Sequence, residues 1–403
     1  MPIDEKNMRQ CWAGRDAVPG PAETLGAVLP GALGPRYQKE FYEATVRTHN
    51  NPFTNSLSIF DFCENYGAEP WRIGPFREEK ALAFRKPAQW QDPLGLGWQS
   101  HSLINPTVLP YNDGLLMMYR ATPLKESLAS RIGLAVYRPG AGWTDSPRNP
   151  AIFPTLPWEA QGCEDPKLYR HESKYYLYYQ GVWPTTEAFR EWGNSGTGFT
   201  IGEATTSTLL AVSSDLVTWE KKGPIVPFGV SKGWSKGAVI PRNGNGEAVK
   251  IDGKYLMYLS EGCGGRLHVG CSTDMESWTF SPVEYLHLPR PECNIEEVAC
   301  ASVGADETTI VLDFYYQSPD RVARAGQALY SVGEPFRQLD VKLDGGTLSW
   351  GGMCRYNGKW LFAQGWDAAP GAEELAFYSA EIRPFSLNDW NCHTQENKLE
   401  ERR

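Results

Sequence analysis

The sequence lacks an excess of positive charge and any long apolar run. Its 403 residues include 39 lysines and arginines against 48 aspartates and glutamates, which gives a formal net charge of -9. Because nucleic acids are bound through basic surfaces, this balance argues against nucleic acid as a partner. No segment approaches the roughly eighteen apolar residues of a membrane span, and the first twenty residues lack the apolar core of a signal peptide. The sequence therefore predicts a cytoplasmic protein with no membrane partner.

Metal-binding and disulfide patterns are absent from the sequence as well. The nine cysteines form no CxxC pair, and their odd number leaves one unpaired in any disulfide scheme. Scattered cysteines of this kind favour reduced structural thiols over a zinc site or a disulfide framework. The six histidines show no HxH or HExxH spacing, so the sequence predicts no catalytic metal and no cofactor. His101, four residues before Asn105, is retained as a candidate substrate contact.

Aromatic residues, glycine and proline are abundant: the chain has 15 Trp, 19 Tyr, 16 Phe, 40 Gly and 30 Pro. This composition is typical of many short strands joined by tight turns. One theme also recurs five times, in which a polar or acidic lead-in precedes a short apolar stretch, a turn and an aromatic strand. The copies read INPTVLPYNDGLLMMYRA, EDPKLYRHESKYYLYYQG, GEAVKIDGKYLMYLSEG, EEVACASVGADETTIVLDFYYQ and WGGMCRYNGKWLFAQGWD.

Five such repeats predict an all-β fold, a five-bladed β-propeller with an irregular N-terminal extension. We assign residues 91–385 to the propeller and residues 386–403 to a charged tail. Residues 1–90 are rich in glycine and proline and low in periodicity, so they are predicted to form an arm that packs on the propeller or on a neighbouring subunit. An arm that walls one end of the channel would favour exo-acting cleavage.

The lead-in residues are the candidate functional residues. The innermost strand of each propeller blade lines the central channel, so the lead-ins are expected to converge in space. The plainer alternative is that single acids among them only cap turns. Because side chains alternate along a strand, Glu296 and Glu297 should not both face the channel, and Glu164 should face away from Asp165. The lead-in residues are Asn105, Glu164, Asp165, Glu247, Glu296, Glu297 and Trp350.

Paired carboxylates in an aromatic pocket fit glycoside cleavage, in which one acid protonates the leaving oxygen and another activates water or attacks the sugar. A proton donor at neutral pH needs a raised pKa, which burial among tyrosines and other acids would give Asp165. Aromatic faces could stack on sugar rings, although tryptophan is more often a core residue. The candidate platforms are Trp98, Trp183, Trp234, Trp350 and Trp366.

A series of motifs between about residues 100 and 380 resembles the five-bladed propeller glycosidases. In order along the chain, these motifs are NP, MMYR, RIGLAVY, EDPK, SSDLVTW, KGAVIP, DGKYLMY and STDMESW. The sequence resembles most the glycoside hydrolase family 130, the β-mannoside phosphorylases and mannosidases. The resemblance implies an oligosaccharide or glycoside substrate and Asp165 as general acid. It also implies Asn105, Arg120 and Arg131 as sugar-site or channel residues, with Lys236 as a further polar contact.

The departures from the family pattern bear on the acceptor. Phosphorylases of that family resemble one another in basic residues that help to hold phosphate after the third-blade GKY and the fifth-blade GWL motifs. This chain has YLSEG and FAQGW there, so Ser260, Glu261 and Gln364 replace them. A desolvated dianion needs several fixed cations, which favours water as the acceptor. The hydrolytic members use glutamates of the third and fourth blades to activate water, and we expect Glu247 with Glu296 or Glu297 in that role.

Other functions stay open at this point. GEAVKIDGKYLMYLS also resembles the third blade of glycoside hydrolase family 43 arabinofuranosidases and xylosidases, in which Glu247 would be the acid. That family needs a first-blade aspartate as base, where this chain has Asn105. A mannoside phosphorylase and a catalytically inactive propeller that binds glycans or proteins are the remaining alternatives.

Overall fold

The computed structural model describes residues 23–25, 69–85, 98–99, 101–122, 128–184, 204–319, 323–343, 345, 351–365 and 374–387. Three short strands precede the first repeat: β1 (Glu23–Leu25), β2 (Arg77–Glu78) and β3 (Phe84–Arg85). The described residues also include an α-helical turn, α1 (Phe228–Ser231), and 3-10 turns at Lys80–Leu82 and Pro157–Glu159. None of the described helices is long and apolar enough to cross a membrane.

Five antiparallel sheets, one for each repeat, form the five blades of a β-propeller, which confirms the predicted fold. Blade 1 has β4 (Ser102–Tyr111), β5 (Gly114–Thr122), β6 (Arg131–Arg138) and β7 (Gly142–Asp145); blade 2 has β8 (Gly162–His171), β9 (Lys174–Pro184), β10 (Ala204–Ser213) and β11 (Trp219–Pro224). Blade 3 has β12 (Ser235–Val239), β13 (Tyr255–Gly262), β14 (His268–Ser272) and β15 (Thr279–Pro282). Blade 4 has β16 (Asn294–Val303), β17 (Thr309–Gln317), β18 (Ala323–Ser331) and β19 (Asp340–Leu343); blade 5 has β20 (Cys354–Tyr356), β21 (Lys359–Gln364) and β22 (Glu374–Glu381).

The last blade is completed by residues from the N-terminal side of the chain. Strands β2 and β3 both pair with β22, the last strand of blade 5. Residues 77–85, which precede the boundary predicted at residue 91, therefore belong to the fifth sheet. Strand β1 adds a fifth strand to blade 2 through β11. The other residues before 69, and those after 387, lie outside the described residues.

The aromatic alternation of the repeats is explained by burial on both faces of each blade. In β9, Tyr175, Leu177 and Tyr179 pack towards blade 1, whereas Tyr176 and Tyr178 pack towards blade 3. Successive side chains of a strand point to opposite faces, so a middle strand of a blade carries apolar residues on both faces. The described residues accordingly form five apolar clusters, one in each gap between neighbouring blades.

The motifs SSDLVTW and STDMESW are turns rather than site elements. Asp215 Oδ1 accepts backbone N–H groups of Val217 and Thr218 at 2.8 and 2.7 Å. Asp274 Oδ1 does the same with Glu276 and Ser277 at 2.8 Å. Such side-chain bonds stabilise tight turns, and here they lead into the outermost strands of blades 2 and 3.

Arg242 closes the ring near the axis. Its guanidinium is 2% exposed and donates to the carbonyl oxygens of Val108, Leu168 and Met353 at 2.9 to 3.2 Å. Its backbone N–H donates to the carbonyl of Ala301 in blade 4. One arginine therefore contacts blades 1, 2, 4 and 5 from its own position beside blade 3.

The described cysteines carry no disulfide, as expected for structural thiols. Five are buried and Cys271 is partly buried. Cys11, Cys63 and Cys392 lie outside the described residues. The buried members are Cys163, Cys263, Cys293, Cys300 and Cys354.

Candidate functional site

The inner strands of blades 1 and 2 carry the same backbone distortion at the same level. Their pairing registers shift between Ile104 and Thr107 and between Glu164 and Lys167. Inside these bulges Asn105 has φ 47° and Asp165 has φ 48°. A left-handed conformation costs a non-glycine residue about 1–3 kcal/mol and is often found at functional sites. The prolines that follow have no N–H, so the bulge leaves no backbone donor of theirs unpaired.

The bulges bring Asn105 and Asp165 into contact and turn Glu164 to the same side. Asn105 Nδ2 donates to Asp165 Oδ1 at 2.5 Å. Arg120 contacts both acids, with Nη2 2.7 Å from Glu164 Oε1 and Nη1 3.2 Å from Asp165 Oδ1. The expectation that Glu164 faces away from Asp165 is therefore wrong, because the bulge interrupts the alternation of side chains on which it was based.

Lys236 joins these acids to blade 3. Its Nζ lies 2.8 Å from Asp165 Oδ2 and 3.8 Å from Glu164 Oε2. Burial by itself would raise the pKa of Asp165, but Lys236, Arg120 and the Asn105 amide hold that pKa below its ordinary value. The expectation of a raised Asp165 pKa is therefore wrong. Burial raises the pKa of Glu164 instead, because the charge of Arg120 offsets it only in part.

Glu261 is the carboxyl group that can hold a proton at neutral pH. It lies opposite Lys236 in the β12–β13 pairing and accepts the indole N–H of Trp234 at 2.9 Å. Burial raises the pKa of Glu261 to about 8, and the charges of Glu297 and Glu296 add to this against the opposing charge of Lys236. The sequence places Glu261 of YLSEG where phosphorylases of the family carry a basic residue, but it does not predict Glu261 as a catalytic residue.

Glu297 is a buried acid of the fourth blade. Its side chain is 1% exposed, Oε1 lies 3.8 Å from Lys167 Nζ, and Oε2 accepts the Tyr315 hydroxyl at 3.1 Å. The pairing of β16 with β17 shifts between Ile295 and Glu297. Glu296 is therefore an extra residue in the strand, and both acids raise the pKa of Glu261. The bulge interrupts the alternation on which the expectation that only one of them faces this region was based.

Glu247 does not belong to this group of residues. The inner strand of blade 3 is β12, so its lead-in residue is Lys236, and Glu247 follows in the connection to β13. Its carboxylate binds Arg170, at the far end of β8 from Asp165, at 2.8 Å and Asn243 at 3.0 Å, with 42% of its side chain exposed. Hydrogen bonds from Asn243 and Arg170 hold the pKa of Glu247 low. The predicted catalytic role of Glu247 has no support in this position.

The remaining predicted contacts have mixed outcomes. Arg131 is buried and donates to the carbonyl of Ser130 at 2.7 Å. His101 is partly exposed beside Ser102, with Nδ1 2.6 Å from Oγ. Trp98 and Trp183 are fully buried core residues, which excludes them as platforms in this structure. Trp234 is partly exposed beside Glu261, whereas Trp350 and Trp366 lie outside the described residues.

The positions where the resemblance places phosphate-binding residues are neutral or acidic. Ser260 Oγ donates to the Gly237 carbonyl at 3.3 Å and accepts the Val298 N–H at 2.9 Å. Gln364 is 5% exposed, and among the described residues neither polar atom of its amide has a hydrogen-bond partner. Gln364 ends β21, and the carbonyl of the next residue, Gly365, accepts the Asn105 N–H at 3.4 Å. The amide therefore lies at the level of the site.

We call the five acids around Lys236 the carboxylate cluster. It comprises Glu164, Asp165, Glu261, Glu296 and Glu297, with Arg120, Lys167 and Lys236 as the cations that contact it. In the part of the chain that the structure describes, no group of three or more His, Cys, Asp or Glu residues has the arrangement of a metal site. The carboxyl groups of the cluster can transfer protons, and its carboxyl, ammonium and guanidinium groups can hydrogen bond to hydroxyl groups.

Comparisons with known proteins point to one family. A family model described as Glyco_hydro_130, β-1,4-mannooligosaccharide phosphorylase, matches residues 88–312. A 1,2-β-oligomannan phosphorylase from Thermoanaerobacter sp. (strain X514) is 23% identical over 254 residues, which cover 60% of this chain and 73% of that protein.

Solved structures share the fold at low sequence identity. One of them matches with a TM-score of 0.60 and 20% identity over 80% of this chain and 98% of its own. It comes from work on the GH130 family of mannoside phosphorylases, which contains glycoside hydrolases that target β-1,2 mannosidic linkages in Candida mannan. A glycosyl hydrolase from Bacteroides ovatus matches with a TM-score of 0.60 and 20% identity, over 79% of this chain and 97% of its own.

Proposed function

Because the chain belongs to glycoside hydrolase family 130, we propose that it cleaves β-mannosides by transferring the mannosyl group to water. The observation that carries the proposal is the excess of acids in the site: the five members of the carboxylate cluster face three contacting cations. The family model and the Thermoanaerobacter relative are described as phosphorylases, so phosphate is the competing acceptor.

The three cations are already engaged by carboxylates. Arg120 lies 2.7 Å from Glu164, Lys236 lies 2.8 Å from Asp165, and Lys167 lies 3.8 Å from Glu297. A phosphate dianion in a desolvated pocket needs cations that can contact it. Glu261, where a phosphorylase would carry a basic side chain, has no positive charge in either protonation state. These contacts favour a neutral acceptor over an anionic one.

In the proposed reaction, the oxygen of a water molecule attacks the anomeric carbon of the mannosyl group while the bond to the leaving oxygen breaks. Glu297 takes a proton from the water, and a second carboxyl group gives a proton to the leaving oxygen. Both groups return to their starting states by proton exchange with solvent. Direct displacement of this kind inverts the anomeric configuration, so a β-mannoside yields α-mannose first.

Two acids compete for the role of proton donor. The family resemblance implies Asp165, and we propose that it donates the proton. To do so it must be protonated when substrate is bound, so the sugar must take over the contacts of Lys236 and Arg120, because both cations hold the pKa of Asp165 low. Glu261 is the second candidate, because its pKa of about 8 keeps it protonated at neutral pH.

Incubation with β-1,2- and β-1,4-linked manno-oligosaccharides, with and without inorganic phosphate, tests the proposal. We expect free mannose at equal rates in both buffers, with the α-anomer first by NMR. Formation of mannose 1-phosphate that depends on phosphate would show a phosphorylase. Aryl arabinofuranosides and xylosides in the same panel test the family 43 alternative, and sugar binding without turnover on any substrate would indicate a non-catalytic propeller.

A further inference from the structure

Lys167 is a buried cation of the second blade that the proposed reaction does not use. It follows Asp165 and Pro166 on β8, and its side chain is 2% exposed. Its Nζ lies 3.8 Å from Oε1 of Glu297, on the inner strand of blade 4. Burial lowers the pKa of Lys167, and the carboxylates of Glu297 and Asp165 oppose that shift. A lysine removed from water in this way needs a nearby carboxylate to keep its charge.

Glu297 is held from three blades. Lys167 of blade 2 faces Oε1, and Tyr315 of blade 4 donates to Oε2 at 3.1 Å. Gly237 of blade 3 makes room for the side chain, because a Cβ at that position would lie 2.6 Å from Glu297 Cγ. Each carboxylate oxygen of Glu297 therefore has its own neighbour. The Gly237 backbone of blade 3 packs against the side chain and limits its conformation.

Other charged groups lie around Glu297. Its charge raises the pKa values of Glu261 on β13, Glu296 on β16 and Glu164 on β8. Lys236 on β12 attracts it, but that ammonium group is also paired with Asp165 at 2.8 Å. Lys167 and the Tyr315 hydroxyl each contact a carboxylate oxygen of Glu297 and favour its negative charge.

We propose that Lys167 is a positioning residue that keeps Glu297 ionised and oriented to take the proton of the attacking water. The inference rests on the proposed hydrolytic function, in which Glu297 is that base. It predicts that loss of the Lys167 charge raises the free energy of the ionised Glu297 carboxylate relative to its protonated form. The rate then falls at low pH while substrate binding is preserved.

The test compares Lys167→Met and Lys167→Arg with the wild type in the pH dependence of kcat on a manno-oligosaccharide. For Lys167→Met we expect kcat at pH 6 to fall about tenfold or more, the acidic limb to move up by about one pH unit, and KM to change little. Lys167→Arg should restore most of the rate and the position of the limb.

Lys221→Met is the matched control, because Lys221 is also fully buried against a glutamate, 2.6 Å from Glu159 Oε2, away from the carboxylate cluster. It should lower thermal stability without moving the acidic limb.

An acidic limb that stays in place in Lys167→Met, in an enzyme whose wild type hydrolyses, overturns this inference alone. A wild type that releases mannose only as the phosphate ester overturns the proposed function, and the inference with it, before any variant is measured. If Lys167→Met does not fold, Tyr315→Phe replaces it, because it removes the hydroxyl from the other carboxylate oxygen. We expect a smaller upward shift of the limb, and no shift would contradict the proposal.

Discussion

Asn105 and Asp165 occupy equivalent positions in neighbouring blades, share the same left-handed backbone conformation, and are hydrogen bonded to each other at 2.5 Å. Each precedes a proline within a bulge of its inner strand. The two bulges therefore act together: one presents the amide donor and the other the carboxylate acceptor. The same distortion turns Glu164 towards Arg120 and Lys236, which links the backbone of two strands to the charges of the site.

The proton donor can be identified from leaving-group dependence. We expect Asp165→Asn to lower kcat on manno-oligosaccharides by about 10²- to 10⁴-fold and to impair an activated aryl β-mannoside much less, because a good leaving group needs little protonation. Glu261→Gln should affect both substrates to the same degree. Measuring kcat of both variants on the manno-oligosaccharide and on the activated aryl β-mannoside tests this dependence. If Glu261→Gln is the variant rescued by the activated substrate, Glu261 is the donor.

Glu247→Gln should leave catalysis nearly unchanged. The carboxylate lies beside Arg170 and Asn243, with 42% of its side chain exposed, and an exposed ion pair contributes only about 0.2–1 kcal/mol. We expect kcat/KM within about twofold of the wild type, since the side chain does not contact the carboxylate cluster. A loss of a hundredfold or more would return Glu247 to the catalytic role that its place in the sequence suggested.

Glu261→Gln should stabilise the protein increasingly as the pH rises. The folded-state pKa of about 8 lies above the ordinary glutamate value of 4.5, so the folded protein binds more protons than the unfolded chain between these values. The wild type therefore loses stability as the pH rises through this window, and the neutral glutamine does not. We expect a gain on the order of 1 kcal/mol or more at pH 8 relative to pH 5, measured by urea unfolding.

The matched control for Glu261→Gln is Glu247→Gln. The pKa of Glu247 is lowered, so the stability that its charge contributes is present above the unfolded pKa and lost only in acid. The effect of Glu247→Gln on the free energy of unfolding should therefore stay constant between pH 6 and 8. An equal pH dependence in the two variants would contradict the assignment of the proton to Glu261.

Arg242→Met should destabilise the propeller strongly. The substitution removes the buried guanidinium N–H groups that donate to the carbonyl oxygens of Val108, Leu168 and Met353. Each buried acceptor left without a partner costs about 1–3 kcal/mol, so we expect a loss above about 2 kcal/mol in urea unfolding. Arg337→Met is the control, because Arg337 makes an exposed ion pair, and it should cost less than about 0.5 kcal/mol.

Gln364→Met should make the free protein more stable and a poorer catalyst. The buried amide has no partner among the described residues, and its desolvation is a cost of about 1 kcal/mol that a substrate hydroxyl would recover. We expect a higher melting temperature together with a KM raised about tenfold. Gln327→Met is the matched control: its amide is bonded to Asp313 at 2.9 Å and to the Ile73 carbonyl at 3.1 Å, so that change should only destabilise.

The sequence alone determined the number of blades and most of their strands. Aromatic residues on both faces of β9 and the repeated turn motifs follow from burial on two sides of each sheet and from local side-chain bonds. Periodicity of this kind is a short-range property, so it can be read along the chain. The NP and EDP motifs likewise marked Asn105 and Asp165, which the structure brings together.

Tertiary structure alone decided which acids meet. Bulges in β8 and β16 overrode the alternation that would have separated Glu164 from Asp165 and Glu296 from Glu297. The placement of β12 as the inner strand of blade 3 brought Lys236 and Glu261 into the site and left Glu247 at the opposite end of β8. The pKa values followed, because burial and the distances between charges on different blades set them, and neither is encoded in the spacing of residues along the chain.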